Sequence, residues 1–437
     1  MSLHELILFD RSRVTTDWNC KRRRFLNYEY GGRGIQNDGI HIEFYLGSVL
    51  HDGLAAIAMG ADIDAIAEAG AQQTYQALSN ADFEGNENYD TYAKEQACLI
   101  EGLLRGFYKH AWPRLQEQFP KIIAVEQEMI LPLEADNASS PMSRMGPQVP
   151  IQMMTKPDLI VEDKDGELWY LEYKSTSSVK DQWFNSWSSQ VQLHSSIRAA
   201  ELALSRPVIG VIIQGLYKGY VAYGKQTSPM CYGYYRRGTP PFYQDEWSYE
   251  YRAGLKKFPI WEKEGGVKKW IDEMPERILA EQFPQAAPIY VNNSMIDAFF
   301  RQTIDREKEI HMASRAILNG GDEAMNAQIL DMAFPQNFSA CSPGWGHGCS
   351  YKKLCFGNFP DPLEAGYVFR TPHHTPELEL WAERDAAAGE QDETNPSQDP
   401  DPVPSTEPSN DEGPNAGGTA DAVLQRSEEA SRAESAA

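Results

Sequence analysis

The sequence lacks any surplus of basic residues. Its 437 residues include 40 Lys and Arg against 63 Asp and Glu, a formal net charge of −23. Twelve of the acids lie in residues 386–437 beside only Arg426 and Arg432, so that stretch carries −10 and the rest −13. This excludes a protein that coats nucleic acid through a broadly basic surface, but not a local basic groove or a metal-lined cleft. No run approaches the roughly 18 uncharged apolar residues that span a bilayer. The opening Met-Ser-Leu-His-Glu-Leu-Ile-Leu-Phe-Asp has no basic segment leading into an apolar one, so no signal peptide is expected. The expectation is a cytoplasmic protein with no membrane partner. Cysteines are few (20, 98, 231, 341, 349 and 355), and none forms a Cys-x2-Cys pair. In a reducing compartment, clustered cysteines read as metal ligands before disulfides. What the chain does have is 41% hydrophobic and 11% aromatic residues, ample for a large core, so general disorder is ruled out.

Residues 389–437 are rich in Pro, Ser, Asn, Asp, Glu and Gly and nearly bare of large apolar side chains. They read as a disordered acidic tail, either simply solvated or a partner-binding or DNA-mimicking arm. Upstream the pattern is helical first. Leu46, Val49, Leu50, Leu54 and Ile57 recur at helical spacing until Gly60, and further helices fit 63–78 and 89–119. Strand-like runs follow at 122–131, 156–162, 168–174 and 208–214, with a helix at 183–204 between the last two. Asp163-Lys164-Asp165-Gly166 makes the second and third runs a hairpin. Helices resume at 266–282 and 293–318. The expected class is α/β, a mixed sheet with a β-hairpin flanked by helices, plus helical additions. We expect one domain over 1–385, with a sheet core at about 120–215, an insertion at about 216–262 and a helical, cysteine-bearing region at about 263–360. Residues 386–437 form the tail.

Pro157-Asp158 sits on the second of these strands and Glu172-Tyr173-Lys174 on the third. Strand side chains alternate, so Tyr170, Glu172 and Lys174 share a face. Across this turn, residues whose numbers sum to about 330 should be opposite, which pairs Asp158 with Glu172. Two converging carboxylates beside a lysine suit Mg²⁺ or Mn²⁺, hard ions that keep several waters. Such an ion can activate a water for in-line phosphoryl displacement, and Lys174 can orient that water or offset charge on the phosphorus. A Glu-x-Lys on a strand is also a common surface charge pattern, so the pair does not decide the matter alone.

The run Pro157-Asp158…Glu172-x-Lys174 resembles the PD-(D/E)xK nuclease superfamily and implies a restriction-endonuclease-like core. Gly47-Ser48-Val49-Leu50-His51 is similar to the Gly-x-x-x-His of the RecB-like branch, which implies that His51 is a metal ligand. Gln190-Val191-Gln192-Leu193-His194 resembles the branch's Gln-x-x-x-Tyr motif with His in place of Tyr. Gln190 then joins the catalytic set, and His194 becomes a DNA contact on the same helical face. The resemblance also implies a glutamate on the first strand: Glu126 as a further metal ligand, or Glu128, which shares its face.

Cys341-x7-Cys349-x5-Cys355 lies in a Gly/Pro-rich loop, and Cys20 is the natural fourth thiol. One early and three late cysteines resemble the structural iron–sulfur staple of AddAB-type and CRISPR-associated adaptation nucleases. The first late gap, seven residues, departs from the commonest spacing, leaving [4Fe–4S], zinc and unligated thiols open. Cys98 and Cys231 read as packing residues, and His347 as a bland loop histidine or substitute ligand.

Lys21-Arg22-Arg23-Arg24 precedes Phe25, Tyr28 and Tyr30, and basic residues and tyrosines interleave between 215 and 251. Phosphates could pair with Arg22, Arg23 and Arg24 while unstacked bases lie on the rings; half-buried strand tyrosines are the equal alternative. No Gly-x4-Gly-Lys-Ser/Thr loop occurs, so a helicase or recombination partner would be a separate protein. The expected function is a metal-dependent DNA exonuclease acting on ends or single strands in recombination, repair or replication. The rival is a non-catalytic DNA-end-binding or assembly subunit; a sequence-tolerant endonuclease is a weaker third. Retention of His51, Asp158, Glu172 and Lys174 together favours the enzyme.

Overall fold

The computed structural model describes residues 6–37, 42–79, 89–133, 149–176, 181–187, 190–218, 220–223, 226–229, 234–236, 257–262, 264–274, 276–320, 322–341, 348–357, 361–372 and 374–382. All belong to one compact unit, Met1–Ala382; the acidic stretch expected to be a tail lies outside the described residues.

The chain opens with strand β1 (Ile7–Asp10), helix α1 (Arg11–Asn19) and the short α2 (Lys21–Arg24), then β2 (Ile35–Asn37). Three helices follow: α3 (Ile42–Ala58), α4 (Ile63–Ser79) and α5 (Tyr89–Gly106). In α3 the predicted stripe is real, with Leu46, Val49, Leu50, Leu54 and Ile57 all buried, and Gly60 turns the chain away at φ 83°. The single helix expected over 89–119 is interrupted by a π-turn at Phe107–Ala111 before α6 (Trp112–Gln118). Pro113 enters α6 in its first turn, and its missing N–H breaks the regular ladder there.

The sheet core comprises β3 (Lys121–Val125), β4 (Met129–Leu133), β5 (Ile151–Thr155), β6 (Leu159–Glu162) and β7 (Leu168–Thr176). Then come α7 (Asp181–Asn185), α8 (Val191–Leu204) and β8 (Val208–Tyr217). Four short strands, β9 (Tyr220–Tyr223), β10 (Gln226–Pro229), β11 (Tyr234–Arg236) and β12 (Lys257–Pro259), form two separate two-stranded ribbons. The side chains of the tyrosine- and arginine-rich part of this insertion, with Cys231, lie outside the described residues. The helical return runs α9 (Gly266–Glu273), α10 (Glu276–Gln282), β13 (Ile289–Tyr290), α11 (Asn293–Asn319) and α12 (Glu323–Ala333). It ends with α13 (Phe338–Cys341), α14 (Lys352–Phe356) and β14 (Tyr367–Phe369).

The central sheet has the order β13-β8-β7-β6-β3; β7 and β8 run parallel and the other neighbours antiparallel. Alternating side chains feed two cores. Leu159, Val161, Trp169, Leu171 and Ile212 pack with α3, α5, α6 and α9. Ile160, Leu168, Tyr170, Val211 and Ile213 pack with α8, α11 and a second sheet, β1-β5-β4, in which β1 runs parallel to β5. The chain is thus a mixed-sheet α/β fold flanked by helices. A third cluster joins Phe25, Leu26 and Ile35 to Phe334, Tyr351 and Tyr367. Among the described residues no helix is long and apolar enough to cross a membrane.

One strand and one helix expectation need correction. The run 122–131 is not one strand: β3 belongs to the central sheet and β4 to the second. The chain crosses between them at Glu126, whose φ of 46° is unusual for a residue with a side chain. The helix expected over 183–204 is two helices, with Gln190 in extended conformation (φ −80°, ψ 119°) just before α8.

Candidate metal centre

The hairpin of β6 and β7 is set by its turn. Gly166 takes φ 81°, and Asp163 Oδ1 accepts the backbone N–H groups of Asp165 (3.0 Å) and Glu167 (2.9 Å). Asp163 Oδ2 accepts from Trp169 Nε1 at 2.9 Å, anchoring the turn to the strand it starts. The pairs Leu159–Leu171 and Ile160–Tyr170 keep the predicted sum of 330, and this register brings Asp158 to Glu172.

Three candidate ligand atoms converge at the strand ends. One atom each from His51, Glu126 and Asp158 lies within 4.8 Å of the other two. His51 Nδ1, on α3, is 3.1 Å from Asp158 Oδ1 and 3.7 Å from Glu126 Oε1. The turn at Glu126 is held by its own N–H, which donates to Asp158 O at 2.9 Å. Asp158 is buried, and its Oδ2 accepts the Tyr173 N–H at 2.6 Å.

Glu172 is buried next to this trio, but its oxygens face other partners. Tyr170 donates its hydroxyl to Oε2, Lys174 Nζ pairs with Oε1, and Arg11 Nη1 stands 3.6 Å from Oε1. Lys174 Nζ also sits 5.9 Å from the centre of the Trp187 ring. Lys156 closes the opposite end, with Nζ 2.9 Å from Glu126 Oε2.

The two carboxylates are pushed apart electrostatically. Burial opposes the charge on Asp158, but His51, Lys174 and the Tyr173 N–H outweigh it and hold its pKa below the usual range. Burial, then the charge of Asp158, raises that of Glu172 despite Lys174 and Arg11. Burial also disfavours protonated His51, yet Asp158, Glu126 and Glu172 raise it to about 10. Cations and protons therefore crowd the place where negative charge converges. One imidazole nitrogen with carboxylate oxygens, half-open to water through His51 and Glu126, is a donor set that fits a divalent ion.

Several predicted residues stand elsewhere. Glu128 is not a site carboxylate: it accepts the Thr375 N–H at 3.1 Å and meets His374 Nδ1 at 3.0 Å, so Glu126 alone of that pair reaches the site. Gln190 caps α8 from outside the helix, so the shared helical face with His194 is lost; its side chain is exposed. His194 points inward. It is 8% exposed, its ring nitrogens have no hydrogen-bond partner among the described residues, and burial lowers its pKa. It cannot lie against DNA in this position.

Arg24 is not a phosphate contact either. Only 1% exposed, it donates to both oxygens of Glu307 (2.9 and 2.8 Å) and to Glu29 (3.0 and 3.2 Å). Arg22 is committed to Phe334 O (2.9 Å) and Asp331 (2.6 Å), and Arg23 is half-buried. Arg22 and Arg24 are thus tied to the fold.

The same region carries Cys20, and the segment it packs against carries Cys341, Cys349 and Cys355. Cys20 separates α1 from α2, and its surroundings are tied to the late segment by Arg22 N to Pro335 O (3.3 Å) and Asn337 Nδ2 to Asn19 O (2.7 Å). Cys349 N donates to Cys341 O at 3.2 Å, and Gln336 Nε2 to Cys355 O at 3.2 Å. Burial pushes the Cys355 thiol to about 11; Arg22 works against this, and Cys349, Cys20 and Cys341 reinforce it. The four thiols thus share one neighbourhood, although no three of the described cysteine sulfurs lie within 4.8 Å of one another. Cys98 is remote on α5 and raised to about 12, chiefly by burial. His347 lies outside the described residues.

Arg11 and Lys156 escaped the sequence reading. Lys156, two residues before Asp158, was the more accessible signal. Arg11 reaches the site through the parallel pairing of β1 with β5, which no local pattern announces.

No curated protein matches the chain. A family model does, over residues 11–356, a span that begins at Arg11 and takes in every candidate ligand named above together with Cys20, Cys341, Cys349 and Cys355. With that match across most of its length, and with its acidic hairpin built as described, the chain belongs to the PD-(D/E)XK nuclease superfamily, a group of divalent-metal-dependent nucleases.

Proposed function

We propose that this nuclease is an Mg²⁺- or Mn²⁺-dependent deoxyribonuclease of RecB-like type, acting as an exonuclease on DNA ends or single strands in recombination, repair or replication. The observation that carries the reading is the convergence of His51, Glu126 and Asp158 beside the Glu172–Lys174 pair. The RecB-like assignment draws on His51, supplied by the Gly47–His51 motif of α3 and 3.1 Å from Asp158.

His51, Glu126 and Asp158 would hold the ion, with Glu172 as a further ligand. A bound divalent ion lowers the pKa of a water and offsets the charge of a phosphodiester. Tyr170 and the Tyr173 N–H fix the two strand carboxylates, so the site needs little rearrangement. Lys174, packed on Trp187, orients the attacking water and steadies charge gathering on the phosphorus. The test compares wild type with Lys174→Ala on linear single-stranded, linear duplex and circular DNA, with Mg²⁺, Mn²⁺ or chelator. Cleavage confined to linear DNA, dependent on metal and lost in the variant is expected. Undiminished cleavage by Lys174→Ala would sink the assignment, and cutting of circles would replace exonuclease by endonuclease.

Cys20, Cys341, Cys349 and Cys355 are proposed as the ligands of a structural [4Fe–4S] cluster joining the N-terminal helices to the end of the domain. The support is that Cys20, Cys341 and Cys349 all bear on the charge of the Cys355 thiol. Anaerobically purified protein should be brown and contain iron, and Cys349→Ser should lose both. Colourless protein with stoichiometric zinc would favour the single ion instead.

A further inference from the structure

Arg11 is the feature of the cleft that the hydrolytic scheme leaves unused. Asp10 pairs with Met154 across β1 and β5, four residues before Asp158, so the first residue of α1 emerges beside the carboxylates. The helix start is rigid: Asp10 Oδ1 accepts the Arg13 N–H at 2.8 Å, and Arg13 Nη1 donates to Leu8 O at 2.8 Å. The Arg11 guanidinium is loosely held by contrast. Its 3.6 Å approach to Glu172 exceeds the 2.7–2.9 Å typical of a charge-assisted hydrogen bond, and its side chain is 39% exposed. Arg13, Arg22 and Arg24 are each engaged by carboxylates and carbonyls of the fold at 2.9 Å or closer.

Glu172 already has closer partners in Tyr170 and Lys174. A carboxylate that commits its lone pairs to a divalent ion has less to offer a third, distant cation. A planar five-donor guanidinium at the mouth of such a site matches the non-bridging oxygens of a phosphate.

Resting on the nuclease reading above, we propose that Arg11 contacts a DNA backbone phosphate, at or beside the scissile linkage, and that it is released to do so when Glu172 serves the metal. Its role is that of a metal-gated phosphate clamp. The readout is binding, not turnover: the salt dependence of oligonucleotide affinity in the Lys174→Ala background, with Mg²⁺ and with chelator. Adding Arg11→Ala should reduce the slope of log K against log[salt] by about 0.7–0.9, one phosphate contact, in Mg²⁺ only. Arg11→Lys should restore the slope while leaving affinity below that of arginine. An unchanged slope in Mg²⁺ would overturn the contact, and an equal loss in chelator would overturn the gating. Arg11→Gln, which keeps the stem, repeats the measurement should the alanine variant fail to melt like its parent. Cleavage that survives Lys174→Ala would count against the hydrolytic chemistry, whereas the slope counts for or against Arg11.

Discussion

Replacing Arg24 by Met tests whether the basic run serves the fold or the DNA. The guanidinium makes two bonds to Glu307, at 2.9 and 2.8 Å, and shares Glu29 through contacts at 3.0 and 3.2 Å. Side-chain exposure is 1% for Arg24 and 3% for Glu307, so removing the cation strands a carboxylate that water cannot reach. Burial already raises the pKa of Glu307, with Arg24 the main opposing influence. Breaking a buried pair from one side costs about 3–5 kcal/mol, and a pair at about 4 Å with an effective dielectric near 20 is worth about 4 kcal/mol. Urea unfolding followed by tryptophan fluorescence should therefore show a loss of about 4 kcal/mol for Arg24→Met. The loss should be nearly independent of salt, because the pair lies beyond the reach of mobile ions. Arg24→Met with Glu307→Leu should recover most of it, since apolar replacement of both partners is often neutral. In folded Arg24→Met protein the salt slope of DNA binding should be that of wild type. A stability loss below about 1 kcal/mol together with a shallower slope would refute the internal role and return Arg24 to the DNA surface.

His51→Ala should raise the Mg²⁺ concentration for half-maximal cleavage by at least about tenfold, since loss even of an outer partner of a ligand costs 10–100-fold; an unchanged Mg²⁺ titration would remove His51 from the ligand set. The raised pKa of His51, about 10, has a definite sign in linkage. Without metal its stabilising contribution is complete below about 6.5 and fades as pH climbs towards 10. Mg²⁺ must displace that proton, so the gain in melting temperature from Mg²⁺ should grow between pH 6.5 and 9.5; a pH-independent gain would contradict it. Asp163→Ala removes two N–H acceptors and the Trp169 anchor from the hairpin turn. It should cost about 2 kcal/mol in urea unfolding, and a loss under 0.5 kcal/mol would mean that Gly166 alone sets the turn.

The hairpin was legible because strand pairing is arithmetic once the turn is known. The sum of 330 needed only Asp163–Gly166, and it delivered Asp158 to Glu172. His51 was singled out by the resemblance of Gly47-Ser48-Val49-Leu50-His51 to a family motif, and α3 brings its ring to 3.1 Å from Asp158. The break at Glu126 was not: Ile122 to Leu131 holds no glycine, proline or turn pair, and the chain passes there from one sheet to another with a positive φ. Gln190 looked helical because its spacing to His194 fits a helix, yet a cap residue satisfies that spacing while its backbone is extended. Arg22 and Arg24 are drawn away from DNA for a tertiary reason. The carboxylate of Glu307, 283 residues from Arg24, decides that the side chain is internal. Composition cannot separate a basic patch from one already neutralised by distant acids.

The clamp between the two ends of the domain has a consequence for synthesis. Arg13 pairs with Glu377, 364 residues later, and Arg370 meets the same carboxylate. β14 closes on β2 through Tyr367–Asn37 and Phe369–Ile35, and His374 fixes Glu128 beside the site. At about 5–20 residues per second, roughly 20–70 s separate the emergence of Arg13 from that of its partner. The acidic hairpin is therefore made well before the helix that presents Arg11 can be locked in place. A nascent chain thus carries the proposed metal ligands before the contact that ties α1 down, which forms only once Glu377 has emerged.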